Sequence, residues 1–93
     1  MNNILEIIDK NGKIIYLTPE RWSHIQQEHF DVSLQEIENT LLFPTKISLS
    51  DRDPAVKWFY KYYKNKREYL MVSIKYLNGK AFIITSHYVT KIQ

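Results

Sequence analysis

Both glycines of this 93-residue chain directly follow an asparagine, at Asn11-Gly12 and Asn78-Gly79. Asn-Gly between runs rich in β-branched residues is the strongest short-range sign of a β-hairpin, because both residues accept the positive φ angles of a tight turn. Segments rich in β-branched, aromatic and other apolar residues flank both dipeptides, over Ile4–Ile8, Lys13–Leu17, Arg67–Leu77 and Lys80–Tyr88. The sequence therefore predicts one hairpin near each end of the chain.

Two helices are predicted between these hairpins. Thr18-Pro19 begins the first, because a threonine side chain caps a helix and proline is tolerated at its first position. This helix is expected to end near residues 29–30. Ser33 followed by Glu36 is a capping box for the second helix, and Pro44 ends it.

The rest of the chain alternates apolar runs with turn residues. Four strands are predicted there, with turns at 51–54 and 64–66, over Lys46–Ser50, Val56–Tyr63, Arg67–Leu77 and Lys80–Tyr88. Helices segregated from strands are typical of an α+β fold. We expect an N-terminal β-hairpin, two helices and then an antiparallel meander with both helices on one face of the sheet. All of this forms a single domain over residues 1–93.

Composition excludes several classes of protein. The chain has no cysteine, which rules out a disulfide scaffold, a thiolate zinc site and a cysteine nucleophile. Its longest apolar runs are about four residues, whereas a membrane helix needs about 20. The opening MNNILEIIDK lacks the basic and apolar regions of a signal peptide. We expect a cytoplasmic protein with no membrane partner.

Basic charge is concentrated in the second half of the chain. Up to Leu42 there are three basic and seven acidic residues, and from Phe43 onward there are ten basic and three acidic ones. The whole chain has a net charge of +3 and a pI of about 9.1. A basic half of this kind favours a polyanionic partner.

Strand parity predicts where that charge lies. Lys64-Asn65-Lys66 is predicted to be a tight connection between the strands Val56–Tyr63 and Arg67–Leu77. Every second residue of each strand then lies on the same face of the sheet, and that face is basic and aromatic. Lysines and arginines neutralise phosphates, and exposed aromatic rings stack on bases. The candidate RNA-binding residues are Lys57, Lys61, Tyr63, Tyr69 and Lys75. The alternative is an ordinary solvated sheet face, on which lysine and tyrosine are common.

Three histidines are the candidates for proton transfer. His24 and His29 lie on the first helix about 140° apart around its axis, a spacing unsuited to joint metal binding. His29 is on the apolar side of the helix, which is also typical of a half-buried core histidine. His87 lies near the end of the last strand, beside Thr85 and Ser86.

The segment Leu17–His29, LTPERWSHIQQEH, is more informative than any single histidine. It combines L-T-P-E-R-W with a helical H-I-x-x-x-H. A short helix ending near a proline follows, then a long strand led by a basic residue and a last strand ending in small hydroxyl residues. This pattern resembles the phage-associated branch of the barnase, EndoU, colicin and RelE-like nuclease fold. The resemblance covers residues 14–88 and departs from the pattern at Phe30 and at Ser86-His87.

The resemblance implies a metal-independent endoribonuclease that needs no cofactor. In such an enzyme a base deprotonates the ribose 2′-OH, which attacks the adjacent phosphorus, and an acid protonates the departing 5′-oxygen. The implied catalytic set is His24, His29, Arg67, Thr85, Ser86 and His87. The implied partners are RNA and, for the toxin of a toxin–antitoxin or phage-related system, an antitoxin or immunity protein.

Two other functions are compatible with the sequence. A non-catalytic nucleic-acid-binding domain needs lysines, arginines and aromatic residues but no histidine. A protein-interaction domain, including a homodimer, pairs its exposed edge strands with another chain. Fold resemblance by itself does not distinguish these functions from catalysis.

Overall fold

The computed structural model describes residues 2–93 and confirms the predicted order of helices and strands. The strands are β1 (Leu5–Ile8), β2 (Ile14–Leu17), β3 (Lys46–Leu49), β4 (Val56–Tyr63), β5 (Glu68–Leu77) and β6 (Lys80–Val89). The helices between β2 and β3 are α1 (Pro19–Glu28) and α2 (Leu34–Leu42). Within residues 2–93, neither helix is long and apolar enough to cross a membrane.

Both predicted helix caps are present. The Thr18 hydroxyl accepts a hydrogen bond from the Arg21 backbone N–H at 3.2 Å, directly before Pro19. At α2 the Ser33 hydroxyl accepts from the Glu36 N–H at 3.2 Å, and the Glu36 carboxylate accepts from the Ser33 N–H at 3.0 Å. These bonds satisfy N–H groups that have no partner inside a helix, so they fix where each helix begins.

All six strands form one sheet, in the order β1-β2-β6-β5-β4-β3. Neighbouring strands are antiparallel except β2 and β6, which pair in parallel over Lys80–Phe82. The meander β3–β6 agrees with the prediction. The parallel attachment of the N-terminal hairpin does not follow from local sequence, because it joins segments far apart in the chain. The fold is thus α+β with a mixed sheet.

Both helices contribute to a single core on one side of the sheet, which we call the helix face. α1 packs against β6, and α2 packs against β4 and β5. The core contains apolar side chains that are at most 5% exposed: Ile7, Ile15, Leu17, Ile25, Val32, Ile37, Leu41, Phe59, Leu70, Val72, Ile74, Ala81 and Ile83. The predicted burial of Val72 and Ile74 is confirmed. We call the opposite side of the sheet the open face. Neither helix of residues 2–93 packs on it.

The β4–β5 turn corrects the predicted faces. It contains four residues, 64–67, so that Tyr63 lies opposite Glu68 and Phe59 lies opposite Val72. With a three-residue turn, odd-numbered residues of β4 would lie opposite odd-numbered residues of β5. With the four-residue turn, odd-numbered residues of β4 lie opposite even-numbered residues of β5. Because residues directly opposite each other share a face, Lys57, Phe59, Lys61 and Tyr63 lie on the helix face. Tyr69 and Lys75 lie on the open face. The prediction that these residues form one face is wrong.

The β5–β6 hairpin has the predicted tight turn and an unforeseen irregularity. Asn78 and Gly79 have φ angles of 44° and 82°, which match a two-residue turn with two positive φ angles. A β-bulge then shifts the register between Ser73 and Ile74. The extra residue on β6 reverses the side-chain parity beyond it. As a result Ser86 is on the helix face, while Thr85 and His87 are on the open face.

Candidate functional site

The open face is rich in aromatic side chains. Three successive rows run across β4, β5 and β6 in the paired register: Tyr62–Tyr69–Val89, Tyr60–Met71–His87 and Trp58–Ser73–Thr85. The rings of Tyr62 and Tyr69 meet edge to face with centroids 5.1 Å apart. By the same register, the strands β3–β6 place Lys46, Lys75 and Lys80 on this face, and the carboxylate there comes from Asp53 in the β3–β4 turn, which pairs with Lys75. The face therefore combines stacking surface with positive charge.

A shallow hollow of about 260 Å³ lies within these rows. It is lined by Trp58, Tyr60, Met71, Ser73, Thr85, His87, Val89 and Gln93. The Gln93 backbone N–H donates to the Tyr60 hydroxyl at 3.3 Å, so the segment after β6 reaches across to β4. This volume lies just below the roughly 300–1,000 Å³ of small-molecule pockets. Its size and its aromatic lining suit a single planar ring.

His29 and His87 are brought together beside this hollow. Their ring centroids are 4.9 Å apart, and their planes are inclined by 30°. The His87 Nδ1 lies 3.4 Å from the Tyr88 carbonyl oxygen. In the tautomer that donates from Nδ1, Nε2 is unprotonated and available to accept a proton. Two imidazoles at this separation can contact one bound molecule, one as a proton acceptor and the other as a proton donor.

The path of the chain after β2 explains this pairing. β2 pairs with β6 over only three residues and ends at Leu17, and α1 then continues along β6. His29 is the C-cap of α1. Its N–H donates to the Ile25 carbonyl at 2.6 Å, and its carbonyl accepts from the Val32 N–H at 3.1 Å. The backbone thus fixes His29 where the helix ends, beside His87.

His24 does not join this pair. Its Nε2 lies 3.6 Å from the Glu28 carboxylate, and the His24 side chain is 64% exposed. It borders a separate shallow recess with Glu20 and Arg21. Of the two helix histidines predicted as catalytic candidates, only His29 is brought into contact with the last strand.

Arg67 is in the β4–β5 turn rather than at the start of β5. Its φ of 55° is in the left-handed region, which is uncommon for a residue with a Cβ atom. Arg67 precedes Met71, the strand partner of His87, by four residues, or roughly 13 Å along a strand. The exposed guanidinium is thus at the same end of the sheet as the histidine pair.

A lysine next to Arg67 anchors this turn to the helix face. The Lys66 Nζ donates to the Asp31 carbonyl at 2.7 Å and lies 3.4 Å from the Glu36 carboxylate. It also lies 4.1 Å from the centroid of the Tyr88 ring. Burial raises the pKa of Glu36, but the neighbouring Tyr88, the Ser33 N–H and the Lys66 charge more than offset it, so the pKa is lowered overall.

The hydroxyl residues at the end of β6 have different environments. Thr85 lines the hollow on the open face. Ser86 is fully buried, and its hydroxyl donates to the Met71 carbonyl at 2.9 Å. Its predicted place in a catalytic set with Thr85 and His87 is wrong, because the bulge turns it into the core.

The lysines and tyrosine predicted to bind RNA from β4 have partners on the helix face. Lys57 lies over the Tyr76 ring, 4.8 Å from its centroid. Lys61 donates to the Phe43 carbonyl at 3.1 Å, and the Tyr63 hydroxyl donates to the Glu36 carbonyl at 2.9 Å. The Tyr63 bond attaches α2 to the sheet and the Lys61 bond attaches Phe43, the residue after α2, whereas Lys57 contacts the neighbouring strand β5. They do not line the open face.

Two of the predicted RNA-binding residues do lie on the open face. Tyr69 is in the row next to His87. The Lys75 Nζ is 3.1 Å from the Asp53 carboxylate, which accepts from the Ala55 N–H as well. The Ala55 N–H and Lys75 lower the pKa of Asp53. Lys75 is therefore a cation that already has a counter-ion.

Sequence reasoning missed the β4 residues of the open face. Trp58 and Tyr60 line the hollow, and Tyr62 packs on Tyr69. The signal that identifies them is the length of the β4–β5 turn. Counting Arg67 as a turn residue assigns all three to the open face.

No group of three or more His, Cys, Asp or Glu side chains in the described part of the chain is placed to hold a metal ion. No protein-family model, curated protein or solved structure matches the chain.

Proposed function

We propose that the protein is an endoribonuclease that cleaves RNA on the open face without a metal ion. The observation that carries this proposal is the pair of imidazoles, His29 and His87, with centroids 4.9 Å apart beside a hollow. The reaction class comes from the resemblance of Leu17–His29 to the barnase, EndoU, colicin and RelE-like nuclease fold. That segment contains one member of the pair.

In the proposed reaction one imidazole is the base and the other, protonated, is the acid. The base removes the proton of the ribose 2′-OH, and the oxygen attacks the adjacent phosphorus. The P–O5′ bond breaks while the acid protonates the departing 5′-oxygen, leaving a 2′,3′-cyclic phosphate and a 5′-hydroxyl. Histidine suits both roles, because its reference pKa is about 6.5.

Groups around the pair are suited to the negative charge of the transition state. The Thr85 hydroxyl is two residues from His87 on the same face, and Ser73 lies opposite Thr85. Arg67 supplies a guanidinium, which binds phosphate oxygens bidentately. Hydrogen-bond donors and cations placed where charge develops lower the barrier of a phosphoryl transfer. In this proposal they act without a metal ion.

The rest of the open face is proposed to hold the RNA strand. Tyr62, Tyr69 and Trp58 offer ring surfaces, and single-stranded bases stack on such rings. Lys46 and Lys80 add positive charge to the same face. The substrate class that fits is single-stranded RNA.

The first experiment is incubation of the purified protein with end-labelled single-stranded RNA in EDTA. The expected products have a 2′,3′-cyclic phosphate and a 5′-hydroxyl. The control is the double variant with His29→Ala and His87→Ala, purified identically, which excludes a contaminating nuclease. Loss of wild-type cleavage on chelation, or products with a 3′-hydroxyl, contradicts the proposal.

A second candidate function is RNA binding without cleavage. The aromatic rows of the open face favour it, because they provide stacking surface independently of the histidines. Binding of labelled RNA that is unaffected by the double histidine variant, with no cleavage by the wild type, supports this candidate.

As the toxin of a toxin–antitoxin or phage-related system, the nuclease would act in the cytoplasm and halt growth when expressed alone. The double variant would not.

A further inference from the structure

The edge of the sheet at β3 carries exposed apolar side chains. Phe43, Ile47 and Leu49 are 66%, 46% and 65% exposed, and Leu42 is 37% exposed. β3 is the last strand of the sheet and, within residues 2–93, pairs only with β4. Exposed edge strands invite pairing with another chain, and natural proteins usually protect them. The edge thus has the properties of an interaction surface.

The backbone of this edge has defined donors and acceptors. The Ser50 N–H donates to the Val56 carbonyl at 3.1 Å, so Ser50 forms a hydrogen-bonded pair with β4. In antiparallel strands such pairs alternate along the chain. Lys46 and Ser48 are therefore bonded inward, while Ile47 and Leu49 direct their N–H and C=O groups outward. These are the groups that an added strand would bind.

The charge at this edge selects the chemistry of a partner. β3 and β4 together contain three lysines, Lys46, Lys57 and Lys61, and no carboxylate. Lys61 is held next to Phe43 by its bond to the Phe43 carbonyl. The apolar stripe formed by Ile47 and Leu49 is thus flanked by positive charge.

We infer that the β3 edge binds an extended segment of a partner protein that adds as a seventh strand and carries acidic residues. Its backbone bonds to Ile47 and Leu49, its apolar side chains pack beside these two residues, and its carboxylates face Lys46. Main-chain bonds and side-chain pockets are the usual sources of affinity and specificity in strand addition. A second copy of this chain fits less well, because it brings another basic edge against this one.

The test uses three eight-residue peptides. The first alternates valine and glutamate, and the second alternates valine and lysine. The third has the sequence of the first except that two prolines replace its inner valines. Binding is followed by the amide chemical shifts of the protein. The acidic peptide is expected to bind at least tenfold more tightly than the other two, and to protect the Ile47 and Leu49 amides from hydrogen exchange. Equal binding of the acidic and basic peptides, or shifts elsewhere, overturns the inference.

A matched pair of variants at Ile47 separates the contribution of its backbone N–H to peptide binding from that of its side chain. Ile47→Pro removes one outward N–H, which is tolerated on the exposed side of an edge strand. Ile47→Val keeps that N–H. The proline variant is expected to lose acidic-peptide binding at least tenfold, and the valine variant to retain it within about twofold. If the proline variant does not fold, Lys46→Glu replaces it, with the same expected loss.

Oligomeric state is the remaining arm of the test. The protein is expected to be monomeric by light scattering at the concentrations used. A dimer whose formation Ile47→Pro abolishes assigns the edge to a second copy and overturns the acidic-partner inference. None of these measurements depends on RNA cleavage.

Discussion

The imidazole rings of His29 and His87 lie with their centroids 4.9 Å apart, although the two residues come from opposite halves of the chain. His29 is held by its own backbone, through bonds to Ile25 and Val32. Its ring is therefore not needed to form the end of α1. Replacing the ring tests chemistry more than folding.

We predict that His29→Ala and His87→Ala each lower the rate of RNA cleavage about 10²–10⁴-fold, the usual loss of a general acid or base. His24→Ala is the matched control. It removes a histidine of the same helix that is 64% exposed and contacts Glu28 instead. Single-turnover rates on one RNA, measured in EDTA, give the comparison. A His24→Ala variant as slow as His29→Ala would falsify the assignment of the pair.

Substitutions of Arg67 separate the effect of its backbone conformation on stability from the effect of its charge on RNA binding. Its left-handed conformation costs a residue with a Cβ atom about 1 kcal/mol, which glycine avoids. We predict that Arg67→Gly is about 1 kcal/mol more stable than Arg67→Ala in urea unfolding. Both are expected to weaken RNA binding equally. Both should also reduce the slope of log K against log salt by roughly 0.7 for each phosphate that the arginine neutralises.

The control for Arg67 is Arg52→Ala, which removes an exposed arginine from the turn at the opposite end of β4. RNA affinity and salt slope should not change in this variant. If Arg52→Ala weakens binding as much as Arg67→Ala, the effect of Arg67 reflects net charge rather than a direct bond to phosphate.

Local signals in the sequence predicted the helices and strands with small errors. The caps at Thr18 and Ser33 and the two hairpins containing Asn-Gly each depend on a few neighbouring residues, and all four are present. Both residues have positive φ at Asn78-Gly79, whereas at Asn11-Gly12 only the glycine does. The strand β4 was predicted with its observed bounds. For the helix caps and the two hairpins, the neighbouring residues were sufficient.

The candidate site was only partly predictable, because side-chain parity depends on single-residue details. Arg67 lies in the turn instead of the strand, and this one residue moves Lys57 and Lys61 to the helix face. The bulge near Ser73 similarly buries Ser86. A shift of one residue moves every side chain of a strand to the other face. The contact between His29 and His87 depends on the parallel pairing of β2 with β6, which no local pattern encodes.

Thr85 and Ser86 are adjacent but have separable roles. Ser86→Ala removes the buried bond to the Met71 carbonyl, and we expect a loss of about 1 kcal/mol in unfolding free energy with cleavage per folded molecule unchanged. Thr85→Val keeps a β-branched shape and removes the hydroxyl from the hollow. It is expected to lower cleavage about tenfold or more, with little change in stability. The reverse result, with Ser86→Ala slow and stable, contradicts the register of β6 against β5.

The Glu36 carboxylate, which lies near Tyr88, the Ser33 N–H and Lys66, gives a pH-dependent contribution to stability. The pKa of Glu36 is lowered in the folded protein from its unfolded value of about 4.5. Its charge therefore stabilises the fold above that unfolded value, and this contribution is lost as the pH falls through the folded pKa. Glu36→Gln isolates the charge, because glutamine also serves in a capping box.

We predict that Glu36→Gln lowers the unfolding free energy at pH 7 by about 1 kcal/mol or less, since both partners retain some exposure to solvent. The difference from the wild type is expected to shrink below about pH 4 and in high salt. Urea unfolding from pH 3 to 7 measures it. Glu38→Gln, at an exposed position of the same helix, is the control and should differ little from the wild type at any pH. A Glu36→Gln deficit that stays the same at pH 3 would mean that its cause is packing and not charge.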